Sequence, residues 1–173
     1  MTATTFGLPA GRRERYAGDA LVEPATGERW PLPDLSVARF DWGGSGLVGT
    51  AADYLAFVRM LLARGAVDGG RVLAPASVDL MLADHLGPGT DAGDLHRPGW
   101  HPGYGFGLGV AVRRGGAGEP GSPGEVTWPG AAGTFWWADP REDLGVVVMA
   151  HVPYAAQARI RSAVHDLVYD ALR

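Results

Sequence analysis

A chain of 173 residues, 46% of them hydrophobic, is long enough for one globular domain with a substantial core and too short for two comfortable ones. A formal net charge of −4, with no basic run longer than two arginines, excludes the footprint that nucleic acid requires, and no stretch nears the ~20 apolar residues that span a bilayer. Cysteine and lysine are both absent, which removes disulfides, thiolate nucleophiles and zinc-thiolate sites, and leaves no side-chain amine to serve as a base or to form a Schiff base.

Residues 1–42 are irregular, rich in Pro and Gly, with apolar residues scattered as Phe6, Leu8, Tyr16, Leu21, Val22 and Trp30. They predict a wrapping segment that lies across a surface made by other elements. The first 15 residues have no apolar run behind their charges, so the chain as written lacks a signal peptide. A cytoplasmic location is the default expectation, unless an upstream start supplies a leader.

Residues 43–102 read as a helical segment. Thr50 can cap a helix beginning at Ala51, and Asp53 can reach back to the cap amide or favour the positive helix start. Ala51, Tyr54, Leu55, Val58, Leu61 and Leu62 share one face, and Gly65 stands where a left-handed C-terminal cap is expected. Asp68-Gly69-Gly70 makes a tight turn, and Pro75 opens a second helix to about residue 86, with Val78, Met81 and Leu82 inward. A polar excursion follows.

Residues 103–173 predict a sheet and a final helix. From 103 to 112 large residues (Tyr104, Phe106, Leu108, Val110, Val112) alternate with glycine or alanine, as in a strand whose bare side faces a close neighbour. After a Gly- and Pro-rich loop, residues 125–130, 134–138 and 144–150 read as three more strands. The unbroken run Val146-Val147-Val148-Met149 predicts a central strand covered on both faces. Ile160, Ala163, Val164, Leu167, Val168, Ala171 and Leu172 trace the apolar stripe of a terminal helix. The expected fold is a single domain of mixed α/β (α+β) class, an antiparallel sheet of about four strands flanked by helices.

Familiar constellations can be tested against this layout. Ser45 in Gly43-Gly44-Ser45-Gly46-Leu47 fails the G-x-S-x-G elbow, because Leu47 takes the second glycine position. The glycines of residues 103–109 are spaced two apart, unlike a dinucleotide or phosphate loop. His85, His96, His101, His151 and His165 lack metal-ligand spacing, so neither a metal nor any other cofactor is expected. Trp128-Pro129-Gly130-Ala131-Ala132-Gly133-Thr134 is different, because a strand ending in small residues leaves backbone amides free to face a ligand. A glycine turn in a β-hairpin explains the same residues nearly as well.

Taken in chain order these segments resemble the C-terminal half of the β-lactamase-related serine hydrolases: class C β-lactamases, D-Ala-D-Ala peptidases and related esterases. The resemblance rests on Gly44-Ser45-Gly46-Leu47-Val48-Gly49-Thr50-Ala51-Ala52-Asp53-Tyr54, Leu73-Ala74-Pro75, Tyr104-Gly105-Phe106-Gly107-Leu108-Gly109, Trp128 to Thr134, and Asp139-Pro140 before a Val-rich strand. It implies an incomplete β-lactamase/transpeptidase-like fold. In that family the chemistry uses a serine and a lysine in S-x-x-K, a tyrosine motif, and a third motif of K-T-G type.

Trp128-Pro129-Gly130 looks like the W-G-G variant of that third motif. The resemblance then makes the Ala131 N–H half of an oxyanion hole and places Trp128, Gly130 and Thr134 against substrate. Pro129 stands where glycine is usual, so strand pairing is expected to be disturbed there. Ala74 replaces a capping serine, at a cost of at most about 1 kcal/mol.

S-x-x-K cannot exist in a chain without lysine, and no tyrosine stands in a Y-x-N context. Met1-Thr2-Ala3-Thr4-Thr5-Phe6, with Pro9 and Arg15-Tyr16-Ala17, resembles an internal stretch of the family just after its tyrosine motif, so Met1 looks like an interior methionine of the family domain. The chain is expected to be inactive toward β-lactams, D-alanyl peptides and carboxylic esters alone, and to aggregate or self-associate through an exposed sheet edge. Two alternatives are a split hydrolase completed by a partner chain, and a non-catalytic module with a ligand groove near Trp128 and Trp136. Neither nucleic acid nor membrane is an expected partner, and small-molecule substrates require the missing half.

Overall fold

A computed structural model of the chain describes residues 1–17, 21–22, 26–27, 29–30, 41, 43–44, 46–95, 102–115, 120–152 and 154–173. Ser45, His96, His101 and most of the second half of the wrapping segment lie outside the described residues. Residues 1–42 contribute short strands: β1 (Thr5–Phe6) pairs with β4 (Leu47–Val48) just before the first helix, and β2 (Leu21–Val22) with β3 (Arg29–Trp30), both antiparallel.

Helix α1 spans Ala51–Leu62, and the Thr50 side chain accepts a hydrogen bond from the Asp53 amide at 3.2 Å, as a capping threonine should. Asp53 does not return the bond to the cap. Its carboxylate accepts from the Thr2 and Ala3 amides at 3.3 and 2.7 Å and from Thr4 Oγ1 at 2.8 Å, tying the start of the chain to α1. These bonds, led by that of Ala3, hold the Asp53 carboxyl below its ordinary value.

The helix ends in a Schellman arrangement, with the Gly65 amide donating to Met60 O and the Arg64 amide to Leu61 O. The left-handed residue that follows the cap is Arg64, at φ +49°, one place earlier than expected. Gly65 is also left-handed, at φ +90°, and a Cβ there would overlap the Leu73 carbonyl.

β5 (Ala66–Val67) and β6 (Gly70–Arg71) form the small hairpin expected around Asp68 and Gly69. Helix α2 spans Pro75–Leu82, starts at Ala74 without a side-chain cap, and stops some four residues short of the expected end. It stops because residues 83–86 are drawn onto the sheet. Asp84 Oδ1 accepts from the Phe106 and Leu86 amides, Asp84 Oδ2 accepts from Arg114 Nε at 2.6 Å, and the His85 amide donates to Phe106 O at 2.9 Å. The Arg114 bond comes first among the influences that hold the Asp84 carboxyl below its usual value.

The alternating stretch 103–112 is not one strand. It forms a hairpin of β7 (Tyr104–Phe106) and β8 (Ala111–Arg113), closed by the Gly107 amide donating to Val110 O at 2.8 Å. Gly109, at φ +87°, supplies the reversal. Glycine alternation fits a close neighbour, and the neighbour is the end of α2. A Cβ at Gly105 would overlap the Asp84 carboxylate, and one at Gly107 the Met81 carbonyl.

With β9 (Val126–Pro129), β10 (Phe135–Asp139) and β11 (Leu144–Val148), the sheet therefore has five antiparallel strands in the order β11-β10-β9-β8-β7. β11 lies at an edge, not at the centre its apolar run predicts; an open edge here is what resemblance to only half of a family sheet implies. Its apolar run is nonetheless covered on both faces, Val147 by the α1 side and Leu144, Val146 and Val148 by the opposite side. Gly145 lets α1 approach, since a Cβ there would stand 2.8 Å from Val58 Cγ1.

One face of the sheet, with Val112, Val126, Trp136 and Ala138, packs on Val58, Leu61 and Val78 of α1 and α2. The other face, with Phe135 and Trp137, receives Ile160, Val164, Val168 and Tyr169 of α3 (Tyr154–Asp170). The inward stripe of α3 differs from the expected one, because Leu167 and Leu172 are 69% and 54% exposed. No helix among the described residues is long and apolar enough to cross a membrane.

Candidate active site

The segment singled out by its small residues forms the turn between β9 and β10. Gly130 N–H donates to Thr134 O at 2.6 Å, and Gly133 N–H donates to Gly130 O at 3.0 Å. A Cβ at Gly130 would overlap Thr134 Oγ1 and displace that side chain; Gly133 combines φ +101° with contact against Val152.

Pro129 does not disturb the pairing. Paired residues on antiparallel strands alternate between hydrogen-bonded and non-bonded positions, and the Gly130–Thr134 bond makes the adjacent Pro129–Phe135 pair a non-bonded one. The proline nitrogen thus sits where the ladder to β10 asks for no donor.

The carbonyls of Gly130, Ala131 and Ala132 are all engaged. Gly130 O accepts from Gly133, Ala131 O accepts from Gln157 Nε2 of α3 at 2.9 Å, and Ala132 O accepts from the Val152 amide at 3.0 Å. A peptide unit is planar and trans, so its N–H points opposite to its C=O. With Gly130 O and Ala131 O turned inward, the Ala131 and Ala132 N–H groups face outward, and neither has a partner among the described residues. Ala131 is exposed. Two fixed, unpaired donors on a rigid hairpin suit an oxygen that acquires negative charge.

The other residues singled out from sequence are placed unequally. Trp128 is half-buried and meets Phe106 edge-to-face, with ring centroids 5.2 Å apart. Its cross-strand partner Trp136 is 5% exposed and packs against Tyr54 and Phe57, so it belongs to the core. Thr134 flanks Gly130 at the mouth of the turn. Sequence reasoning missed Gln157, which is 9% exposed. The signal was present, since Gln157 is a polar residue three places before Ile160 on the stripe that faces the sheet.

At the opposite end of the β9–β10 hairpin lies a buried polar cluster, also missed. Tyr169 Oη lies 2.8 Å from Glu125 Oε2 and 2.7 Å from Asp139 Oδ2, His165 Nε2 lies 2.9 Å from Glu125 Oε2, and Tyr104 Oη donates to Glu125 Oε1 while accepting from Arg113. Glu125 and Asp139 are 1% and 0% exposed. Burial alone would raise the Asp139 carboxyl, but bonds from Tyr169 and from the Ser122, Arg141 and Glu142 amides outweigh it and set it below the ordinary value. Burial, reinforced by the Glu125 charge, pushes the Tyr104 phenol up to about 12, and burial raises that of Tyr169 as well.

A profile of the family described as Beta-lactamase matches residues 1–170. The chain belongs to that family. Protein Rv1367c of Mycobacterium tuberculosis (strain ATCC 25618 / H37Rv) is 45% identical to this Beta-lactamase family chain over 166 residues, 88% of this chain and 40% of that protein. Among solved structures, EstCE1, a hydrolase with promiscuous acyltransferase activity, superposes with a TM-score of 0.72 at 26% identity, over 98% of this chain and 47% of its own. The LovD6 mutant of simvastatin synthase from Aspergillus terreus shares the fold, with a TM-score of 0.74 at 22% identity, over 99% of this chain and 47% of its own. The chain thus spans about half the length of these structures and two fifths of the mycobacterial relative.

Proposed function

We propose that this chain supplies the oxyanion-binding part of a serine hydrolase site that acts on carboxylic esters, β-lactams or D-alanyl peptides through an acyl-enzyme. The serine, lysine and tyrosine of that chemistry would come from residues outside these 173, on the same polypeptide or on a partner chain. The observation that carries this reading is the outward-facing Ala131 N–H, whose peptide unit is fixed by the Gly133 amide on Gly130 O.

When a serine oxygen attacks an acyl carbon, the carbonyl oxygen takes up the charge and must be met by donors already in place. Ala131 N–H is one such donor, and Ala132 N–H stands beside it. Trp128 and Thr134 would border the acyl group. A single oxyanion donor is worth about 10²- to 10³-fold in rate. The chain can form no S-x-x-K motif by itself, because it has no lysine.

The test uses nitrocefin and p-nitrophenyl butyrate. The purified chain is expected to turn over neither. Addition of the part of Rv1367c that this chain does not match is expected to restore turnover of at least one. Turnover by the purified chain alone, or no turnover of either substrate after the addition, would overturn the reading.

A further inference from the structure

We infer that Gln157 is the positioning residue of this site, the side chain that anchors the Ala131–Ala132 peptide unit and so directs the Ala132 N–H that stands beside the Ala131 donor; this rests on the oxyanion reading above. Its single Nε2 has two hydrogens, and both are used, one on Ala131 O at 2.9 Å and one on Val152 O at 3.3 Å. Both partners are carbonyls, so the nitrogen of the amide must face them. Val152 in turn donates its N–H to Ala132 O at 3.0 Å and packs against Gly133. One side chain therefore fastens the turn and the strand-to-helix connection to each other.

The clamp works only if α3 is held in register along the hairpin, and the buried cluster at the far end does this. From Gln157 to Tyr169 the helix rises about 18 Å, and from Gly130 back to Glu125 the strand runs about 17 Å. The two lengths match. Tyr169 bonded to Glu125 and Asp139 at one end thus delivers Gln157 beneath Ala131 at the other. Apolar packing alone would tolerate sliding of α3, whereas paired polar contacts at both ends do not.

Without Gln157 the Ala131–Ala132 peptide unit loses its inward anchor. Rotation of that unit turns the Ala132 N–H away from the acyl oxygen and loosens the adjoining Gly130–Ala131 unit, which then keeps only the Gly133 amide on Gly130 O. Because the contact is made through the turn and not with substrate, the loss should fall on the chemical step and spare substrate binding.

Two measurements on Gln157→Leu and Gln157→Glu test this. The first is residue-resolved amide exchange in the chain itself. The Val152 and Gly133 amides are expected to exchange about tenfold faster in both variants, with those of α1 unchanged. Unchanged exchange at the turn, or an equal increase throughout the chain, overturns the inference. The second is kinetics of the complemented enzyme with p-nitrophenyl butyrate, where kcat should fall about tenfold or more while KM stays within about twofold. A rise in KM at constant kcat overturns it. If the complemented wild type shows no turnover, the proposed function fails, and exchange at the turn alone decides the clamp.

Discussion

The Tyr169 hydroxyl of α3 lies 2.7 Å from Asp139 Oδ2 at the end of β10, joining two buried residues 30 positions apart. The same hydroxyl lies 2.8 Å from Glu125 Oε2. Tyr169→Phe keeps the ring packed and removes only this bridge. Asp139 and Glu125 retain other donors, so urea denaturation should show a loss of about 1–3 kcal/mol at unchanged m-value. Asp139→Ala should cost more, since it also strips the Ser122, Arg141 and Glu142 amides of their acceptor.

Alkaline stability should follow the tyrosines. Tyr104 titrates at about 12 in the fold. An unfolded tyrosine titrates near about 10, so the Tyr104 contribution is complete below about pH 10 and is lost as pH rises to the folded value. Tyr169 shifts in the same direction and adds to the loss. Stability measured at intervals above pH 9 should decline steeply in the wild type and less steeply in Tyr104→Phe; parallel curves would remove Tyr104 as the cause.

Acid stability runs the other way. The Asp139 carboxyl is lowered in the fold, so its contribution is complete above the unfolded value of about 4 and disappears as pH falls through the folded one. Asp139→Asn should be less stable than the wild type at pH 7, with the gap narrowing below about pH 4. A gap that is constant with pH would show that charge at this position is irrelevant.

Two glycine substitutions should separate close approach from mere flexibility. Gly107→Ala drives a Cβ into the Met81 carbonyl, the acceptor of the Leu108 amide at 2.9 Å, and should cost about 1–3 kcal/mol. Gly70→Ala meets nothing within 4 Å and should stay within about 0.5 kcal/mol of wild type. Thermal melts of the two variants, run side by side, check the contrast.

Much of this arrangement is legible in the chain itself. Thr50, the apolar face of α1 and Pro75 mark their helices because caps and helix periodicity are local signals. The 104–113 hairpin was hidden for a physical reason. Alternating glycine satisfies a strand with a bare face and equally supplies the left-handed Gly109 that ends one. The stripe of α3 was misplaced because Val164 and Val168 are shared by two possible faces, and the choice between them was made by Gln157, His165 and Tyr169. Their partners lie 26 to 44 residues away, beyond the reach of any local pattern. For the same reason the turn was found from its small residues, while the side chain that holds it was not.

The two borders of the five-stranded sheet are finished differently. Outside β7, Phe106 is already bonded to Asp84 and His85, whereas β11 has no neighbour on its outer side among the described residues. Such a sheet can be extended in one direction only. Two copies joined along β11 in antiparallel sense would be related by a two-fold axis, and each would then present only its capped border. Association of this kind would close as a dimer, with no edge strand of this sheet among the described residues left open to a third copy.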